Sequence, residues 1–228
     1  MNRQLAFDLP APPALRREDF FAAPSNALAL RVLEGWAHWP GGKQALAGPP
    51  GSGKTHLAHI WAADAGAVLL PGAALAGADI AGLAARGRVA VEDAAEVAGD
   101  PRAERALLHL HNLVLAEGGR LLLTDAAAPA RWPVDLPDLA SRLAATPAVA
   151  LAPPDDTLLA AVLVKLFADR QLNVPAALIP WMVARMERSL AAARTLVARI
   201  DARALAEGRP VTRALAAAVL DTAPDLGP

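Results

Sequence analysis

The sequence predicts a three-layer α/β domain followed by a smaller all-helical unit, on three observations. Short apolar runs alternate with segments of helical spacing up to residue 151, a glycine-rich loop divides the first strand from its helix, and the strand signal stops after Pro153-Pro154. Parallel strands need long crossover connections, so helices between successive strands imply a parallel sheet with a helical layer on each face.

The elements follow in order. Residues 1–22, interrupted by proline, predict a tail too short to pack. Ser25-Asn26 predicts the cap of a helix running to about Trp39, and Pro40-Gly41-Gly42 a turn into a first strand, Gln44 to Ala47. After the glycine loop, Thr55 to Ala65 reads as a helix, Ala67 to Leu70 as a buried strand and Ile80 to Arg86 as a helix. Arg88 to Glu92 is a strand ending in acids, Arg102 to Glu117 a long helix, Gly119 to Thr124 a strand, and Pro147 to Leu151 closes the series. Beyond the prolines, Asp155 to Arg170, Pro175 to Arg185, Ser189 to Leu205 and Val211 to Leu220 carry helical spacing. The expected division is therefore tail 1–22, α/β domain 23–153 and helical lid 154–228.

Composition excludes several classes of function. The chain has 228 residues and no cysteine, so disulfides, thiolate metal sites and a cysteine nucleophile are absent. Twenty-two basic against 23 acidic residues leave a net charge of -1, which gives no electrostatic footprint for tracking along a nucleic-acid backbone, so no direct sequence-specific DNA binding is expected. No run of eighteen apolar residues occurs and the N-terminus lacks the order of a secretory signal, so no membrane segment and a cytoplasmic location are expected.

The chemistry concentrates in Gly48-Pro49-Pro50-Gly51-Ser52-Gly53-Lys54-Thr55, which fits the phosphate-binding pattern G-x-x-x-x-G-K-[ST] at every position. Glycines let the backbone bend around an anion, the N–H groups and the helix start converge on the β-phosphate, Lys54 meets the β- and γ-phosphates, and Thr55 ligates Mg²⁺. His56, next in the chain, is grouped with this cradle. The expected cofactor is ATP or ADP with Mg²⁺. A plain glycine turn beside an exposed lysine is the alternative, and the spacing speaks against it.

Such a loop also needs a carboxylate at a neighbouring strand end, to hold hydrated Mg²⁺ and orient water. Glu92 and Asp93 end the apolar run Val89-Ala90-Val91 and so reach the edge where open α/β sheets bind ligands. Acids also end many strands with no such role. Thr124-Asp125 ends another strand, where a loop-starting role is at least as good an explanation. His56 and His59, three apart, share a helix face without a third ligand. Arg142 and Arg188 are candidates to stabilise a transferring phosphoryl group, set against the simpler reading of both as surface arginines.

The loop Gly48 to Thr55 with His56-Leu57, the strand-end acids, Leu136-Pro-Asp-Leu-Ala-Ser-Arg-Leu143 and the helical lid together resemble the AAA+ module of the replication initiator DnaA. The chain stops where the initiator's DNA-binding domain would begin, and in this it resembles the Hda family, lone AAA+ modules preceded by a peptide for the polymerase sliding clamp. Gln4-Leu5-Ala-Phe7-Asp-Leu9 is similar to that peptide, with its apolar side chains suited to a groove.

The resemblance implies a negative regulator of replication initiation that docks on the clamp and stimulates ATP hydrolysis by DnaA. Arg142 would then be the finger acting in trans, Arg188 the lid arginine on this chain's own nucleotide, and ADP the preferred ligand. Glu92 stands where the family usually has Asp, so weak or absent intrinsic hydrolysis is expected. The residues alone leave open an ADP-bound clamp adaptor without catalysis, a helicase-loader-like AAA+ protein, and a homodimer.

Overall fold

The computed structural model describes residues 15–222. Gln4, Leu5, Phe7 and Leu9 lie outside them. Helix α1 (Ala27–Glu34) leads to strand β1 (Lys43–Ala47), and α2 (Lys54–Ala65), β2 (Val68–Pro71), α3 (Ile80–Ala85), β3 (Arg88–Glu92), α4 (Pro101–Ala116) and β4 (Arg120–Asp125) alternate after it. Helix α5 (Pro137–Ala144) then crosses to β5 (Ala148–Ala150). The five strands pair in parallel in the order β2-β3-β4-β1-β5.

The period-2 alternation of side chains sorts the apolar residues between the two faces. Leu46, Ala90, Leu122 and Val149 point into one cluster with α1 and α2. Their neighbours Ala45, Val89, Val91, Leu121 and Leu123 point into the other, with α3, α4 and α5. Strands buried on both sides explain the continuous apolar runs. Strand β1 lies between β4 and β5; the chain leaves β1 toward β2 on one side, whereas β4 connects across it to β5 on the other, which opens a crevice at the C-terminal end of β1.

Four helices, α6 (Asp156–Asp169), α7 (Leu178–Val183), α8 (Leu190–Glu207) and α9 (Arg213–Asp221), gather around a third core that includes Leu163, Phe167, Met182, Val197, Ile200 and Leu215. Each of α6, α8 and α9 starts on a side chain that accepts a backbone N–H: Asp155 from Leu158, Ser189 from Ala191 and Ala192, and Thr212 from Leu215. Such caps hold helices at defined starting points and contribute about 1 kcal/mol each.

Several elements differ from the sequence expectation. The first helix stops at Glu34 rather than Trp39, because Gly35 ends it and Trp39 turns inward to stack on Trp61 at 5.1 Å between ring centroids. Asn26 does not cap that helix with its side chain; Oδ1 accepts from the Ala23 N–H and Nδ2 donates to the Phe21 carbonyl, closing the preceding turn. Strand β2 is only partly buried, since it pairs with β3 alone at the sheet edge. The second lid helix is shorter than expected, with Pro180 in its first turn, where a missing N–H costs nothing.

The N-terminal segment is also more engaged than a tail. Phe20 is buried and meets the His56 ring edge-on at 5.2 Å, and Asp19 accepts a 2.9 Å ion pair from Lys165 on α6. Among the described residues no helix is long and apolar enough to cross a membrane.

Candidate functional site

The loop Gly48–Gly53 leaves the end of β1 and enters α2 at Lys54, so strand, loop and helix start in the order that a phosphate cradle requires. Gly51 and Gly53 adopt φ of +71° and +104°, a region that favours glycine. Gly48 is required by proximity: a Cβ there would stand 2.8 Å from the Leu151 carbonyl oxygen and 3.0 Å from Ser52 Oγ. Pro49 accepts from the Ser52 N–H at 3.2 Å, and Pro49-Pro50 stiffen the turn. Ser52 is buried, and its hydroxyl has no hydrogen-bond partner among the described residues.

Lys54 is 8% exposed, and its ammonium donates to the carbonyls of Gly48 at 2.6 Å and Pro49 at 3.1 Å. Burial pushes its pKa down, while the nearby carboxylates of Asp93 and Asp125 oppose that shift. The lysine therefore sits at the mouth of the loop as a buried ammonium, a donor suited to an anionic phosphate.

Glu92 lies beside Thr55 at the end of β3. Its carboxyl is largely buried, Oε1 has no partner among the described residues, and Oε2 lies 3.8 Å from His59 Nε2. Burial raises its pKa, with the Thr55 hydroxyl and the His59 ring pulling the other way. A desolvated carboxylate oxygen without a donor, beside the Thr55 hydroxyl, fits a hydrated Mg²⁺ between Thr55 and Glu92. The ion would supply charge neutralisation at the phosphates; the chain's own residues would bind and orient it.

The structure separates the other sequence candidates. Asp93 has φ of 47° and ψ of 47°, is exposed, and lies near enough for its charge to act on Lys54. Its backbone N–H donates to Thr124 Oγ1 at 3.4 Å, so β3 and β4 are tied at their ends. Asp125 is occupied by the backbone, accepting from the N–H groups of Ala95 and Ala126. His56 and His59 diverge: His56 Nε2 donates to the Arg16 carbonyl at 2.9 Å and faces the N-terminal segment, while His59 faces Glu92. Among the described residues no three metal-ligating side chains converge.

The C-terminal helical unit meets the glycine loop directly. The Leu190 N–H donates to the Gly51 carbonyl at 2.9 Å, and the N-terminal end of α8 lies over the loop. Arg188, just before that helix, turns outward: its side chain is 56% exposed and bonds Asp156 at 2.6 Å and the Pro154 carbonyl at 3.4 Å.

Arg194, one turn into α8, turns inward. Burial lowers its pKa, its charge acts on His56, and it forms no hydrogen bond or ion pair among the described residues. Arg194 does not stand out in the sequence because it sits in an alanine-rich helix. The signal available was its position, five residues after the Ser189 cap on the helix that closes the loop.

Arg142 belongs to a different edge. It lies in the last turn of α5, exposed, and its carbonyl is bonded by Lys43, the first residue of β1. Five strand steps separate Lys43 from Gly48, about 16 Å at the usual rise. Arg142 is thus rooted at the end of the sheet opposite this chain's own phosphate loop.

No family model and no curated relative matches the chain. Solved structures do. Domain III of the Thermotoga maritima replication initiation protein DnaA superposes with a TM-score of 0.77 at 18% identity, over 92% of this chain and 97% of that one. AMPPCP-bound DnaA from Aquifex aeolicus gives 0.68 at 16%, over 83% and 65%. The Thermotoga maritima RuvB Holliday junction branch migration motor gives 0.70 at 16%, over 90% and 71%. The chain has the AAA+ P-loop α/β fold that these proteins share.

Proposed function

We propose that this chain is an Hda-type negative regulator of replication initiation. It binds ADP or ATP with Mg²⁺ in its own cradle, docks on the polymerase sliding clamp, and presents Arg142 to the nucleotide of DnaA. The placement of Arg142 carries the reading: an exposed arginine on the sheet edge remote from the chain's own loop serves a nucleotide held by another subunit. The likeness to DnaA domain III supports it, because modules of matching shape can stack so that one module's edge faces the next module's loop.

In this reading Gly48 to Thr55 hold the phosphates, Glu92 orients Mg²⁺ through water, and residues 154–228 act as the lid, with Arg194 rather than Arg188 facing the nucleotide. Asp93, exposed and near Lys54, completes the acidic pair of the strand end. The engagement of Asp125 by the backbone N–H groups of Ala95 and Ala126 supports weak intrinsic hydrolysis, because its oxygens are already bonded and poorly placed to orient a water. Gln4, Leu5, Phe7 and Leu9 form the clamp peptide.

The test mixes ATP-loaded DnaA, clamp-loaded DNA and the purified chain. Hydrolysis accelerates with the intact chain and slows to the background rate when Gln4, Leu5 and Phe7 are all alanine. Acceleration that survives the triple substitution contradicts the clamp peptide, and no acceleration by the intact chain contradicts the regulator reading.

A further inference from the structure

The helix that carries Arg142 is held at both ends by buried charged residues that the nucleotide site does not use. With 8 residues, α5 is too short to be stable alone, so tertiary contacts fix its position. Leu139 and Leu143 are buried beneath it. At its C-terminal end the Arg142 carbonyl accepts from Lys43 Nζ at 3.0 Å and from Thr146 Oγ1 at 2.9 Å. The Thr146 N–H turns instead to the Leu143 carbonyl at 3.0 Å, so two side chains satisfy the carbonyl that another turn of helix would have bonded.

Lys43 is 8% exposed, and among the described residues no carboxylate pairs with it. Its Nζ instead lies 3.2 Å from His111 Nε2, and His111 Nδ1 lies 3.2 Å from Asn112 Oδ1. An ammonium can only donate, so the chain of bonds has one direction. Lys43 donates to Nε2 and to the Arg142 carbonyl, and Nδ1–H donates to Asn112; the network thereby sets His111 as the neutral Nδ1–H tautomer. Burial, Asn112 aside, is joined by the charges of Lys43 and Arg142 in holding the ring below its ordinary pKa.

At the other end, Glu104 of α4 is 2% exposed. Its carboxylate accepts from the N–H groups of Gly99 at 3.1 Å, Asp135 at 3.0 Å and Leu136 at 2.8 Å, the last being the residue on which α5 begins. A carboxylate thus meets the positive end of the helix and an ammonium its negative end, both from other elements.

We propose that Lys43 and Glu104 are positioning residues for Arg142, clamping the two ends of α5 so that the root of the guanidinium is fixed before a partner arrives. His111 makes the clamp sensitive to acid, since a second ring proton would face the Lys43 ammonium and break the directed chain. The groups that face His111 are Lys43, Arg142 and the neutral Asn112. The inference rests on the reading of Arg142 as a finger acting in trans.

The experiment measures hydrolysis by ATP-loaded DnaA on clamp-loaded DNA, with wild type, Lys43→Met, Glu104→Gln, His111→Gln and Arg142→Ala, across the range in which histidine titrates. Lys43→Met and Glu104→Gln each lower the maximal rate at saturating chain by about 10-fold or more, because a loosened root misplaces the guanidinium. The concentration giving half-stimulation and the chain's own ADP affinity stay within about twofold. Wild type loses stimulation on the acid side, and His111→Gln, which keeps an acceptor for Lys43 without a titrating ring, loses markedly less.

Arg142→Ala at the wild-type rate overturns the finger reading and the clamp with it. An inactive Arg142→Ala beside Lys43→Met and Glu104→Gln at the wild-type maximum overturns the clamp alone. Should the lysine and glutamate variants not fold, His111→Gln decides: an acid-side fall as large as that of wild type overturns the positioning role.

Discussion

The Leu190 N–H and the Gly51 carbonyl are bonded at 2.9 Å, which joins the first turn of the lid helix α8 to the middle of the phosphate loop. Any movement of the lid is therefore felt by the cradle, and the cradle's conformation decides whether the lid can dock.

Gly51→Ala tests this junction. A Cβ at Gly51 would stand 2.9 Å from the Ser189 Cβ and closer still to its hydroxyl, at a φ of +71°. Left-handed backbone costs a non-glycine residue about 1–2 kcal/mol before any clash, so ADP affinity falls at least about 10-fold. Titration calorimetry measures it, and wild-type affinity would mean that the lid does not close on the loop.

Arg188 and Arg194 separate by environment. Arg194→Ala removes a half-buried guanidinium and weakens ADP binding about 10-fold, the scale of one charge-assisted hydrogen bond. Arg188→Ala removes an exposed pair with Asp156, and its effect stays within about twofold. Binding isotherms for the two variants under one condition give the comparison.

Glu92→Gln acts oppositely on folding and on metal binding. The folded pKa of Glu92 lies above its ordinary 4.5, so between those two values the folded state holds more protons than the unfolded one and stability drops as pH rises. At neutral pH without metal, the glutamine variant therefore melts at a higher temperature than wild type. In the same variant the gain in nucleotide affinity on adding Mg²⁺ shrinks by about 10-fold, as expected when a group orienting a metal's waters is lost.

His56 and His111 set the acid limb of stability. Burial holds both below the ordinary 6.5, so as pH falls through that value the unfolded chain takes up protons that the folded chain refuses. Stability declines from about pH 6.5 downward, before the carboxylates titrate. Chemical denaturation at a series of pH values shows the slope, and replacing both residues with glutamine flattens it.

The sheet was legible because strands buried on both faces leave unbroken apolar runs: Val89-Ala90-Val91 and Leu121-Leu122-Leu123 can be neither surface strands nor short amphipathic helices. The phosphate loop was legible because its glycines answer local needs of backbone geometry, which sequence states directly. Tertiary contacts were not. That Phe20 packs on His56, drawing it away from the cradle, depends on a segment forty residues upstream folding back. Arg188 and Arg194 lie six apart in one sequence stretch, and only the docking of α8 on Gly51 tells which of them turns inward. Lys43 reads as a surface residue at a strand start until α5 and His111 are seen to cover it.

The most direct measurement is the maximal rate of hydrolysis by ATP-loaded DnaA, with clamp-loaded DNA and saturating chain, compared between wild type and Arg142→Ala. Arg142→Ala lowers the stimulated rate about 10³-fold, the lower end of what such an arginine supplies, with ADP binding to the variant's own cradle unchanged. Equal rates for the two proteins would contradict the role of Arg142 as a finger acting in trans.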